Sequence, residues 1–306
     1  MSETELTDLR AEIDAIDIEL LQLLVRRNSV SDRVKLVKTD AGVKLRPGRE
    51  AEILRRLLAR NAGRYPARTL LRIWREIFSA SLANQGAFST AVLTQDGGHI
   101  LWDLARDHLG SGGAFNRYAT PRRVLEAVAG GEDTLGVLPA PDPQDADPWW
   151  QHLLVHPNLA NNIKTPKIIA RLPIAKAGNM AGNMAGNRAG NRAGDIAEEA
   201  VIIALMEPDA SADDRAYLAI DLANDVSADR LSEALDGVGI DGVLAARWHE
   251  AAAPERWVNL VHIGGYSGIG DARFQALADR LGGQINQIIW LGSYAEQLNL
   301  AEIGGR

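Results

Sequence analysis

Four cations stand among apolar residues near the start of the chain: Arg10, Arg27 and Lys38 on one long helical pattern, and Arg49 on the next. Side chains of this kind can hold carboxylates, because a guanidinium forks onto both oxygens and an ammonium supplies rotatable donors. Arg27 and Lys38 are eleven residues apart, about three helical turns, so they share a face and can converge on one small ligand. Arg10 lies seventeen residues before Arg27, roughly 25 Å along the same helix, farther than a small ligand bridges. If Arg10 belongs to the same site, a second chain must supply it. The plain alternative for all four is a solvated helix face.

The elements that would position these cations are legible in the periodicity. Apolar residues fall at Leu6, Leu9, Ile13, Ile16, Leu20 and Leu23, alternating gaps of three and four, and no Gly or Pro interrupts before Gly42. That is a coiled-coil-like helix. Running to about Lys38 it would be roughly 50 Å long, too long for a small domain to cover, so another chain is expected against it. Gly42 and Pro47 mark a loop. A second helix carries Ile53, Leu54, Leu57 and Leu58, and Pro66 starts a third with Leu70, Leu71, Trp74, Ile77, Phe78 and Leu82.

The text around the cations reads LRAEIDAID, LLVRRNSVSDRVKLVK, RPGRE and SLANQ. It resembles the all-helical class of chorismate mutases across residues 5 to 86. The positions that match are Arg10, Arg27, Lys38, Arg49, Glu50, Ser81 and Gln85. The resemblance implies an interlocked homodimer with shared active sites, in which chorismate becomes prephenate by a pericyclic rearrangement that needs neither nucleophile nor cofactor. It implies Arg10 and Arg27 for the two carboxylates, Lys38 and Gln85 for the ether oxygen, Glu50 for the ring hydroxyl, and Ser81 and Arg49 for supporting contacts. One departure lies in the loop, where Lys44 or Arg46 stands in place of an Asp common in the family.

Composition narrows the alternatives. The 306 residues are 46% hydrophobic and 24% charged, with a net charge of −7, no Cys and six His. The absence of cysteine excludes disulfides and thiolate chemistry, and the histidines show no HExxH spacing, so no metal is expected. Residues 1 to 86 hold 16 Lys and Arg against 12 acids, and the remainder 17 against 28, so the two parts carry +4 and −11. The basic residues are interleaved with acids and lack an aromatic stacking pattern, which argues against nucleic acid. No run approaches a membrane span of about 20 apolar residues, and the first residues do not read as a signal peptide. A cytoplasmic protein is expected.

After Gly86 the period changes. FSTAVLT reads as a strand, HILWDLARDHLG as a helix, TPRRVLEAVAGGEDTLGVLPAP as a helix and a buried strand, and IKTPKIIARLPIA as another strand. This stretch resembles the first lobe of prephenate dehydratases, without their Glu-Asn-Ser after Pro139, without a Gly-Pro-x-Gly-Thr opening where QDGGH stands, and without Thr-Arg-Phe where EEAVIIAL stands. The last hundred residues alternate strand, helix, strand, strand, helix, strand. They resemble an ACT domain, which would sense phenylalanine. LGSY is retained at Leu291 to Tyr294, while the effector motif is reduced to Ala246, Arg247 and Trp248.

Between KIIARLPIA and EEAVIIAL stands AGNMAGNMAGNRAGNRAGD, whose Gly and Asn at every fourth position weaken a helix and leave no apolar face. It reads as a flexible tether where a dehydratase has its second lobe, with an anion-binding loop around Arg188 and Arg192 as the alternative. The expected architecture is therefore multidomain. An all-α three-helix intertwined-dimer mutase domain occupies 1–86. A degenerate α/β lobe of periplasmic-binding type occupies 87–176 and 196–210, the tether 177–195, and an α+β ferredoxin-like ACT domain 211–306. The expected activity is that of a chorismate mutase without dehydratase activity. The alternatives are a bifunctional mutase-dehydratase and a non-catalytic regulatory partner of an aromatic-biosynthesis enzyme.

Overall fold

The computed structural model describes residues 3–37, 45–61, 65–94, 99–154, 165–176, 199–222, 226–249 and 257–300. Lys38, the QDGG of the dehydratase-like opening and the AGN repeat lie outside these residues.

The chain begins with α1 (Glu3–Val37), 35 residues long and so about 52 Å from end to end. The seam expected from its 3-4 spacing is there but nothing covers it within one chain. Leu6, Leu9, Ile13, Ile16, Leu20 and Leu23 are 37 to 58% exposed. Only around Arg27 does α1 become half-buried, where it packs on α3 (Ala67–Gln85). Helix α2 (Pro47–Arg60) starts with Pro in its first turn, where a missing N–H costs nothing, and buries Ala51, Leu54 and Leu58. Helix α3 buries Leu71, Arg75, Phe78 and Leu82, a single face at spacings of four, three and four. Leu54, Leu58, Leu71 and Phe78 form a small core with Leu298.

The rest of the chain builds one nine-stranded sheet. Its first part holds β1 (Ser89–Leu93), β2 (Ala114–Tyr118), β3 (Leu135–Pro139), β4 (Lys167–Leu172), a two-residue β5 (Ala175–Lys176) set apart from it, and β6 (Ala200–Ala204). Helices α4 (Ile100–Leu109) and α5 (Pro121–Gly130) connect β1, β2 and β3 as parallel neighbours, the arrangement that crossover helices require. Strand β2, AFNRY, was not anticipated: it is a largely exposed edge strand, so it lacks the apolar run by which β1 and β3 announce themselves.

The second part is β7 (Asp214–Leu222), α6 (Ala228–Asp236), β8 (Gly242–His249), β9 (Trp257–Gly264), α7 (Ala272–Leu281) and β10 (Ile285–Ala295), with a short β11 (Leu298–Asn299) against β5. Its strands lie in the order β10-β7-β9-β8, all antiparallel, the ferredoxin-like βαββαβ arrangement. The strands read from sequence as two domains are edge to edge in one sheet, because β10 lies beside β4 at Gly292 and Ile168. Gly292 makes this approach feasible. Its φ is +142°, and a Cβ there would stand 2.1 Å from the Ile168 carbonyl oxygen. One hydrophobic cluster accordingly runs from Val92 and Ile202 through to Leu260 and Tyr294. Strands β4 and β6 are antiparallel neighbours, Leu172 opposite Ala200, and Lys176 forms an ion pair with Glu199. The segment containing the AGN repeat therefore leaves and re-enters the fold at one point. Among the described residues, no helix is long and apolar enough to cross a membrane.

Candidate active site

A cavity of about 760 Å³ opens between the C-terminal third of α1, the first turns of α2 and the end of α3. Five of the seven residues singled out from the sequence line it: Arg27, Arg49, Glu50, Ser81 and Gln85. Three helices that meet nowhere in the primary structure are needed to bring them together.

Arg27 is held from two sides. Its Nη1 donates to Ser81 Oγ at 2.8 Å, and its guanidinium stands 5.5 Å from the centre of the Phe78 ring, a cation–π distance. Ser81 Oγ in turn donates to the Ile77 carbonyl oxygen at 2.9 Å. These contacts use part of a five-donor fork, leaving further N–H groups for a ligand carboxylate. Burial lowers the Arg27 pKa from its usual value, and Glu50 opposes that shift. The group remains a cation at any ordinary pH.

Glu50 is buried against Arg75, whose Nη1 donates to its Oε2 at 2.7 Å. Burial raises the Glu50 pKa, and Arg75 pulls it back. Arg75 was not picked out in the sequence, although the signal was present. It occupies the buried stripe between Leu71, Phe78 and Leu82, and a charge at a core position implies a buried partner. One oxygen of Glu50 is thus engaged from behind, while the residue still lines the cavity.

Arg49 and Arg46 depend on a residue more than 150 positions away. Asp209 accepts from the backbone N–H groups of Gly48 at 3.0 Å and Arg49 at 3.1 Å, and pairs with Arg46 Nε at 3.0 Å. It does for α2 what an N-cap side chain does, satisfying donors at the start of the helix. Gly48 permits this approach, since a Cβ there would stand 2.4 Å from the Asp209 carbonyl oxygen. One turn on, Arg55 donates to the carbonyl oxygens of Ser211, Asp213 and Glu296. The helix that presents Glu50 and Arg49 is therefore fastened to the sheet. The Arg49 side chain itself is exposed and paired with Glu52 at 2.7 Å. Arg46, considered from sequence in place of the family's Asp, is tied to Asp209 yet still lines the cavity.

Two expected residues remain. Lys38 lies outside the described residues, just beyond the end of α1. Arg10 is exposed and seventeen residues up the same continuous helix from Arg27, so within one chain it is roughly 25 Å away.

Residues 9–86 match the family model described as chorismate mutase type II. The bifunctional chorismate mutase/prephenate dehydratases of Aquifex aeolicus and Pseudomonas aeruginosa are each 32% identical over 140 and 141 residues, 44% of this chain and 38% of theirs. The chain thus spans well under half the length of those relatives in the matched stretch. The solved prephenate dehydratase from Streptococcus mutans is 12% identical with a TM-score of 0.46, covering 68% of this chain and 97% of that one.

Proposed function

We propose that this chain rearranges chorismate to prephenate, at sites shared between two copies. The observation that carries the reading is the convergence of Arg27, Arg49, Glu50, Ser81 and Gln85 on one cavity within the segment that matches the mutase family.

The chemistry asks little of the protein beyond placement. The substrate is a dianion whose enolpyruvyl arm must fold over its ring, and negative charge grows on the breaking ether oxygen. Arg27, already oriented by Ser81 and Phe78, meets one carboxylate as a fork. Gln85, at the last turn of α3, lines the same cavity and with Lys38 serves the ether oxygen. The free edge of Glu50 accepts from the ring hydroxyl, with Arg75 holding its other oxygen still. Preorganised donors of this kind act by being in place before charge develops, so no reorganisation is needed at the moment of reaction.

The second carboxylate needs another cation, and Arg10 from a second copy supplies it. The support is the uncovered α1 seam: six large apolar residues in line on a helix that its own chain leaves bare, which a parallel or antiparallel partner helix would bury. No dehydratase step is assigned to this chain, since its dehydratase-like stretch lacks that family's signature motifs and the AGN repeat occupies the sequence interval where that family has a second lobe. The ferredoxin-like arrangement of residues 214–295 supports an ACT-like reading of that part.

Purified protein given chorismate should form prephenate and no phenylpyruvate above background at neutral pH. Inactive Arg10→Ala and Arg27→Ala variants, unfolded and refolded together, should regain activity at about a quarter of all sites, because half the dimers are mixed and one site in each is intact. Heterodimers seen by mass without recovered turnover would exclude the shared site.

A further inference from the structure

A second cavity, of about 570 Å³, lies on the other side of Arg75 from the first and shares no lining residue with it. It is bounded by the first half of α3, the second half of α4 and the segment that leaves β4. Its cations are Arg68, Arg72, Arg75 and Lys176, against the carboxylates of Asp107 and Glu199. Arg72 is paired with Asp107 at 3.0 Å, Lys176 with Glu199 and Arg75, at the floor, with Glu50 of the other cavity, so the surplus positive charge rests on Arg68 at the rim. Leu71, Leu104 and Ile174 supply apolar wall.

Two buried nitrogens of the floor have no hydrogen-bond partner among the described residues: Nε of Arg75 and Nδ1 of His108. Their residues are only 4% and 8% exposed. Folded proteins leave few buried donors unsatisfied, and an orphan beside a cavity points to a group that fills it. Burial and the neighbouring Arg75 hold the His108 pKa well below its usual value, so its imidazole is neutral and can present an N–H at Nδ1 without bringing another charge.

We propose that this cavity binds a small organic dianion, two carboxylates on an apolar body, and that its occupancy is read at the first site through Arg75. Arg68 meets one carboxylate as the surplus cation, and the guanidinium of Arg75, shared with Glu50, meets the second. The volume is that of a small-ligand site, and the orphan N–H groups supply the buried end with donors. Among the described residues, Arg75 alone both lines this cavity and bonds to Glu50 of the other. A carboxylate drawing the guanidinium toward its Nε edge competes with Glu50 for the same side chain. The binding half of this proposal stands on its own, and the coupling half rests on the mutase reading.

The test uses phenylsuccinate as the probe. Calorimetric titration into the full-length Arg27→Ala variant, whose first site is disabled, should give one site with a dissociation constant of about a millimolar or tighter. Adding Arg68→Glu, at an exposed rim position, should weaken it at least tenfold. Absent heat, or equal affinity in both proteins, overturns the site. In the wild type, phenylsuccinate should change kcat at saturating chorismate, and Arg68→Glu alone should keep basal kcat while losing that response. A rise in KM with kcat untouched means competition at the first site only and overturns the coupling. If the protein shows no turnover at all, the mutase reading fails while the calorimetric arm still decides the site.

Discussion

Replacing Arg75 with Met keeps an apolar stem in the α3 stripe and removes the only group that pairs with Glu50 from behind. Glu50 is then a buried carboxylate without its main compensation, and it has one escape, which is to take up a proton. From an ordinary value of 4.5, holding a carboxyl protonated costs about 1.4 kcal/mol per pH unit, hence about 3.4 kcal/mol at pH 7 and only about 0.7 kcal/mol at pH 5. The upper figure is a ceiling, and it falls within the range of about 3–5 kcal/mol seen when one partner of a buried pair is removed. The direction follows from the raised pKa. The folded state binds the proton more tightly than the unfolded one, so the group's contribution is best below pH 4.5 and is lost as pH rises toward the folded value. Urea unfolding of Arg75→Met and wild type at half-unit steps between pH 5 and 7 should give a difference that widens by up to about 1.4 kcal/mol per unit. Adding Glu50→Gln should flatten it. A penalty of equal size across the range would mean that lost volume, not an uncompensated charge, governs the site, and would refute the reasoning.

Arg27→Ala and Lys38→Ala should each lower mutase kcat/KM by about a hundredfold or more, through loss of charge-assisted contacts to the reacting dianion; near-wild-type rates would remove them from the site. Asp209→Ala should destabilise by about 1–2 kcal/mol in thermal or urea unfolding, as for a lost helix N-cap, and should lower turnover because α2 presents Glu50; an unchanged rate would show that the cap does not position the site. Acid unfolding should draw in part on His262. Burial, with Arg171 and Arg215, lowers its pKa to about 4, so its stability contribution is present above pH 6.5 and lost as pH falls toward 4. His262→Gln should reduce the slope of acid unfolding by up to about 1.4 kcal/mol per unit in that window. Replacing residues 178–196 by a short Gly-Ser linker should leave the melting temperature nearly unchanged, since the flanking Lys176 and Glu199 are already in contact; a large drop would give the repeat a structural role.

Much of the site was readable in order along the chain. The 3-4 spacing of α1, the cations riding on it and the Pro-started helices after it are local features, and local periodicity dictates which face of a helix is apolar. Arg27 and the end of α3 meet through the Ser81 hydroxyl and the Phe78 ring. The alternation after Gly86 likewise shows strands and helices, except for β2, whose exposed edge carries no pattern to read.

What the sequence alone determined is most of the elements, the chemistry of the residues they carry, and the apolar seam along α1, which is evident from spacing. What only the tertiary structure decided is who stands behind those residues. Arg75 announces a charge in a core stripe but not that Glu50, across a helix–helix interface, is its partner. Asp209 lies about 160 residues from the helix it caps, and Gly292 joins two sheets that read as separate domains. Each depends on the order of strands in a sheet and the docking of helices on it. Those are choices among long-range pairings that no local period encodes, because loop closure over such distances costs nearly the same for many alternatives.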